Sequence, residues 1–335
     1  MTDLRQTIEN IFPNKTVVIV GDLVADQFLN GTIARVSREA PVFILRHDLT
    51  ETLPGGAANA AVNVASLGGK PLLVGVVGAD ANGDLLLDAL RHFNVGDQHI
   101  LRGPDYTTTT KVRVLAGQHY AARQQVIRID YENNGTLSTE IKAELRQNLA
   151  SAAETADAII VSDYNYGAVF PETFADALAI SRDRKIPLIV DSRFGLTDFP
   201  NALSATPNRD EVEQLLGKDF TAEDCSELRG QLGYAALLIT NGNEGMMLFE
   251  EGRPPLNIAA VGSSEPVDVT GAGDTVIAAY TLGLASGLSF TDAACVANHA
   301  GGIVVMKKGT ASATSSELVE SIGNNDAPLA STHAK

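Results

Sequence analysis

Five short apolar runs, spaced by stretches of helical length, constrain this chain more than any other feature. They are Thr16–Val20, Leu72–Val77, Ala158–Val161, Pro187–Val190 and Ala236–Ile239. Each is continuous rather than alternating, and most are rich in β-branched residues. That is the pattern of a parallel strand covered by helices on both faces. The expected fold is therefore α/β: a mostly parallel central sheet between two helical layers. Met246–Phe249 follows Ala236–Thr240 across an Asn241-Gly242 turn and reads as a hairpin, so the sheet is expected to finish antiparallel.

The βα rhythm breaks twice, at about 28–53 and 105–132. Val42–Arg46 reads as a short strand, and side chains alternate in Lys111–Leu115 and Gln125–Tyr131. Period-two alternation indicates strands with one wet face. Together these segments are expected to build a small sheet outside the main one, a lid that excludes water from a site beneath it. Residues 1–322 then form one domain with two lid insertions, and 323–335, polar and small, a disordered tail.

Composition narrows the function classes. The formal charge is 25 − 41 = −16, which argues against binding nucleic acid or an anionic membrane. No run reaches the length of a membrane helix, and Met1–Arg5 lacks an apolar signal core, so a cytoplasmic protein is expected. Cys225 and Cys295 read as reduced thiols rather than a disulfide pair. The six histidines are scattered and suggest no metal cluster.

Chemistry points to Asp268-Val269-Thr270-Gly271-Ala272-Gly273-Asp274. A strand-like Pro266–Val269 leads into it, and a small-residue helix leaves it. A Gly-rich turn opening a helix offers N–H groups without intrahelical partners and the positive end of the helix dipole, a site suited to phosphate. Asp274 stands in the first turn, where a carboxylate can take a proton from an attacking hydroxyl. The plain structural alternative is a helix cap.

Other polar residues gather where such folds bind ligands, beyond the carboxyl ends of strands. Asp22 and Asp26 follow the first strand. Gly55 and Gly56 open a small-residue helix on which Asn59 and Asn63, four apart, share a face. That pair suits a polyhydroxy ligand or a buried structural network. Asn208 and Glu211 have capping-box spacing, which is also their bland explanation.

These motifs, in this order and over about 15–320, resemble the ribokinase-like family of carbohydrate kinases. Within it, Gly21-Asp22 with Asp26, Ser37–Val42, Lys111–Val114 and Asp268–Ala279 are most similar to the kinases of D-glycero-D-manno-heptose 7-phosphate. The resemblance implies a three-layer α/β/α sandwich with a β-sheet lid, ATP as phosphoryl donor, Mg²⁺, and a homodimer formed through the lid. It makes Asp274 the general base and Gly271, Ala272 and Gly273 the donors to the transferring phosphoryl group. It assigns Asp26, Gly55, Gly56, Asn59, Asn63 and Arg113 to the sugar. Asn208 and Glu211 would face the triphosphate, with Glu211 reaching Mg²⁺ through water. Thr240, Gly242, Gly245 and Asn298 would line the nucleotide. The backbone at Asp268 and Thr270, near Gly309, would hold a monovalent cation such as K⁺.

The chain departs from that pattern at three places. Asn165-Tyr166-Gly167 stands where heptose kinases carry Gly-Lys-Gly, and Asp191-Ser192-Arg193 where they carry Asp-Pro-Lys. His119–Ala122 reads as extra lid length, and too few residues follow 320 to build the nucleotidyltransferase half that some heptose kinases carry. Arg113, Arg128 and Arg193 are the candidates to meet a substrate phosphate, against the reading of solvated surface charges. The alternatives are a nucleoside or vitamin kinase of the same superfamily, with Tyr164 or Tyr166 stacking a ring, and a non-catalytic binding protein.

Overall fold

The structure, a computed structural model, describes residues 3–118, 123–132, 137–262, 265–324 and 330–331. Helix α1 (Leu4–Asn10) leads to β1 (Thr16–Gly21), and two long strands, β2 (Leu23–Val36) and β3 (Phe43–Gly56), follow at once. Then come α2 (Ala57–Ser66), β4 (Lys70–Gly78), α3 (Ala81–His92) and β5 (Ile100–Gly103). A second strand pair, β6 (Thr110–Gly117) and β7 (Gln124–Tyr131), precedes α4 (Thr139–Ala153), β8 (Ala158–Asp163), α5 (Pro171–Arg184) and β9 (Leu188–Ser192). The chain continues through β10 (Ser204–Ala205), α6 (Arg209–Leu216), α7 (Ala222–Gln231), β11 (Ala236–Thr240), β12 (Met246–Glu250) and β13 (Leu256–Ile258). It ends with α8 (Ala272–Ala285), α9 (Phe290–Val304), α10 (Ser315–Asn324) and β14 (Ala330–Ser331).

Among the described residues the main sheet has ten strands, in the order β14-β13-β12-β11-β10-β9-β8-β1-β4-β5. From β11 to β5 it is parallel, and from β11 to β14 antiparallel. Strand β1 shows why the apolar runs are continuous. Val17 and Ile19 enter one core with α2, α8 and α9, while Val18 and Val20 enter a second core with α4 and α5. All four are fully buried. Burying an aliphatic side chain is worth roughly 1.5–3 kcal/mol, so a polar residue at any of them would be costly. No helix of the described residues is long and apolar enough to cross a membrane.

The smaller sheet has the order β3-β2-β6-β7. Its strands are longer than the sequence suggested, since β2 and β3 pair from Leu23↔Gly56 to Val36↔Phe43. Asp26, Gly55 and Gly56 thus lie inside this ribbon, at its root, and the glycine pair ends β3 while Gly56 also caps α2. Strand β7 is exposed along its whole length, not on one face alone, because it is the sheet's edge and stands away from the body.

Several expectations need correction. Pro266–Val269 is a loop, not a strand: the N–H groups of Val267 and Asp268 both donate to the Val305 carbonyl rather than to a neighbouring strand. Helix α3 is capped by Asp80, whose carboxylate accepts from Gly83 N. Strands β5 and β10 and helix α10 had no clear signature. Helix α10 runs to Asn324, and β14 pairs with β13, so the segment after 322 is ordered in part. His119–Ala122 lies outside the described residues, as do most of the other positions after 324. Both cysteines are free, Cys225 buried and Cys295 half-buried.

Candidate active site

The carboxyl ends of the parallel strands and the underside of the lid enclose a polar cavity of about 320 Å³. The body contributes Asp163 and Tyr164 at the end of β8, Asp191 and Arg193 at the end of β9, Asn208 and Glu211 at the start of α6, and Gly271, Gly273 and Asp274 at the start of α8. The lid contributes Asp26 and Gly56 from its root, Lys111 and Arg113 from β6 and Arg128 from β7. Asp274 and Asp26 therefore face one space.

Asp274 is buried, with its carboxylate held at both oxygens. The Tyr164 hydroxyl donates to Oδ1 at 2.9 Å, and the Asn59 amide donates to Oδ2 at 2.7 Å. Burial pushes its pKa up to about 6, and these two hydrogen bonds oppose that rise. Such a carboxylate is ionised at neutral pH and still a competent proton acceptor. Gly271 caps α8 in the left-handed region (φ 78°), and a Cβ there would come within 2.6 Å of Asn59 Nδ2. Glycine is needed both for the turn and for the approach of Asn59.

The sugar-side candidates divide. Asp26 pairs with Arg113 (2.5 Å), whose guanidinium also lies over the Phe28 ring. Gly55 lies against Asp26, where a Cβ would come within 2.6 Å of its carboxylate oxygen, and Gly56 lines the cavity. Asn59 is turned to Asp274 rather than to open space. Asn63 is fully buried, donates to Asn59 and accepts from the Thr275 hydroxyl. The paired amides thus form a buried hydrogen-bonded network in this structure, with Asn63 on the side away from Asp274. The Ala272 N–H donates to the Val269 carbonyl at 3.2 Å.

A second hollow, about 170 Å³ and largely apolar, adjoins the first and shares Thr240, Val269 and Gly273 with it. Its walls include Gly242, Gly245, Met246, Val276 and Asn298. Asn298 donates to the Ala259 carbonyl at 2.7 Å, which holds the neighbouring wall.

A family model described as pfkB family carbohydrate kinase matches residues 14–317. The chain belongs to the pfkB family of carbohydrate kinases. Among curated relatives, the bifunctional protein HldE of Gluconobacter oxydans is 36% identical over 90% of this chain and 63% of its own length. The protein of the same name from Geobacter metallireducens is 36% identical over 95% of this chain and 66% of its own. The chain thus spans just under two thirds of these relatives. Among solved structures, Arabidopsis thaliana ribokinase complexed with ribose and ATP aligns with a TM-score of 0.68 at 22% identity, covering 92% of this chain and 98% of that one. Escherichia coli phosphofructokinase-2 in complex with potassium aligns at 0.74 and 18%, with the same coverage. At these identities the two structures show the shared fold.

In this pfkB chain Asn208 and Glu211 do form the reciprocal capping box: Glu211 N donates to Asn208 Oδ1, and Asn208 N donates to Glu211 Oε2, each at 2.9 Å. Both residues also line the polar cavity, so the capping box does not take them out of the site. Burial raises the Glu211 pKa, and it raises that of Asp191 further, with Glu211, Asp274 and Asp163 adding repulsion. Asp268 is more than a source of backbone. Its carboxylate accepts from Thr270 N and Gly309 N, each at 3.0 Å, and so draws those two segments together.

The sequence reading passed over Lys111 as a site residue. It is buried, its ammonium lies 5.7 Å from the Tyr164 ring centre and 5.5 Å from that of Tyr166, and burial lowers its pKa. Its signal was available, since Lys111 and Arg113 are two apart on one strand and share a face. Asp163 and Asp191 end β8 and β9, where the rule for open α/β sheets also pointed.

Proposed function

We propose that this pfkB chain transfers the terminal phosphoryl group of ATP to a hydroxyl of a sugar that already carries a phosphate. A heptose 7-phosphate is the first candidate. One observation carries the reading: the proton acceptor Asp274 shares a cavity with Lys111, Arg113, Arg128 and Arg193. These four cations stand among the carboxylates Asp26, Asp163, Asp191 and Glu211 of the same lining, and arginines suit phosphate by their forked donors. The HldE relatives and the motif resemblance support the heptose; the Tyr166 and Arg193 departures leave other sugar phosphates in play.

In this reading the acceptor hydroxyl lies between Asp274 and the γ-phosphorus. Asp274 takes the hydroxyl proton as the oxygen attacks, the bond from phosphorus to the β–γ bridging oxygen breaks, and ADP leaves. Gly271 and Gly273 keep the helix start open to the phosphoryl group, and the apolar hollow seats the nucleobase. Thr206 Oγ, buried at the cavity wall without a hydrogen-bond partner, is a donor suited to phosphate oxygen. Glu211 and Asp191 would hold Mg²⁺, which neutralises charge on the phosphates. Mg²⁺ commonly binds through few carboxylates, with phosphate and water completing its shell. The segments joined by Asp268 are where the resemblance seats K⁺.

The lid exposes Phe43, Leu49, Ile127 and Tyr131, each by more than half of its surface. A second copy of the chain is the partner that suits such an apolar edge. The deciding experiment measures ADP release over pentoses, hexoses, heptoses and their monophosphates. The reading expects kcat/KM to be highest for a sugar phosphate, and a preference for a free sugar or a nucleoside would overturn it.

A further inference from the structure

The loop after β8, residues 163–168, is held from beneath by a carboxylate outside the cavity lining. Asp22 is fully buried between β1 and β2. Its Oδ2 accepts from Tyr164 N at 2.8 Å and Tyr166 N at 3.0 Å, and its Oδ1 accepts from Ala168 N at 2.9 Å. Three converging N–H groups make a fixed cradle, and the buried charge that fills it is costly to install. From this loop the Tyr164 side chain reaches Asp274, while Asn165 turns through a left-handed conformation (φ 62°).

We propose that Asp22 and Tyr164 act as positioning residues for the reaction: Asp22 gathers the loop, and the loop holds the Tyr164 hydroxyl on one oxygen of Asp274. With Asn59 on the other oxygen, the carboxylate cannot rotate, and its remaining lone pairs are directed at the acceptor hydroxyl. The inference rests on Asp274 being the base.

A merely structural tyrosine would pack its ring and nothing more. Tyr164→Phe keeps that ring, beside Lys111 and Arg193, and removes only the hydroxyl. The charged groups around Asp274 stay as they are: Asp26 and Lys111 from the lid, with Asp163, Asp191 and Arg193 from the strand ends. Glu211 of α6 is also untouched.

The test is the pH profile of kcat/KM in the full chain with the best acceptor found. Loss of a hydrogen bond to the ionised form raises its pKa, so Tyr164→Phe moves the acid limb up by about half to one unit and lowers kcat about tenfold. Tyr166→Phe, whose hydroxyl meets Glu132 instead, leaves the acid limb in place. Asp22→Asn lowers kcat in the parent. In the Tyr164→Phe background it lowers kcat much less, because both changes break one chain of contacts. A Tyr164→Phe enzyme with the parental acid limb overturns the inference, as do fully multiplicative losses in the double variant. If Asp22→Asn does not fold, the Tyr164→Phe profile decides alone. Failure of the base itself reads differently: Asp274→Asn would then retain turnover.

Discussion

The two hollows that meet at Thr240, Val269 and Gly273 are built from opposite materials. The larger is walled by carboxylates, lysine and arginines, the smaller by glycines, methionine and valines. The start of α8 serves both, with Ala272 facing the apolar hollow, Asp274 the charged one and Gly273 both. Successive helical residues point about 100° apart, so a single turn can divide its side chains between two ligands. If the proposed function holds, phosphoryl transfer here needs little from the protein except placement. On the proposed reading one wall would supply charge to an anionic acceptor, the other a dry seat for a base, and the helix start would stand where the two ligands meet.

The hardest blow to that division is Asp274→Asn. It is expected to lower kcat by about 10²–10⁴-fold while leaving nucleotide affinity intact. The same change should raise thermal stability. Asp274 has a folded pKa of about 6 against an ordinary value of 3.8, so the folded state binds more protons between these values. Stability is therefore lost as pH rises from about 4 to 6, and the deficit, roughly 3 kcal/mol as an upper figure, persists above that range. Removing the charge should restore part of it at pH 8 and almost none at pH 4. Melting curves at the two pH values check the sign, and an inactive variant no more stable at pH 8 would mean that Asp274 is not buried as a charge.

Next in size is Arg193→Ala on the charged wall. Losing one charge-assisted contact should raise KM for a sugar phosphate about ten- to a hundredfold and leave KM for the unphosphorylated sugar almost unchanged. Equal effects on both acceptors would show that Arg193 does not meet the distal phosphate.

Much of the division was legible in the chain. The continuous apolar runs specified a two-sided sheet, because a strand buried on both faces leaves no polar alternation. Gly271 and Asp274 were legible because a helix start has few ways to present donors and an acid together. What could not be read was the side-chain pairing. Spacing put Asn59 and Asn63 on one face but did not show that Asp274 and Thr275 would meet them from another helix. The Pro266–Val269 alternation looked like a strand, yet Asp268 carries its own hydrogen bonds and the Val305 carbonyl takes the local N–H groups. A contact more than two hundred residues away in sequence leaves no local periodicity.

The smallest expected effect lies on the apolar side, at Asn298. Its amide donates to the Ala259 carbonyl, and Ala260 and Val261, next along the chain, form part of the apolar wall. Asn298→Ala leaves that carbonyl without its donor and lets the wall shift. One neutral hydrogen bond is worth about 1 kcal/mol, so KM for ATP should rise about fivefold while the sugar-phosphate KM holds. The charged wall is far enough round α8 that a loosened 259–261 segment should not reach it. A rise in the sugar-phosphate KM instead would mean that the two hollows move together, and that their separation into acceptor and nucleotide sides is one of lining only.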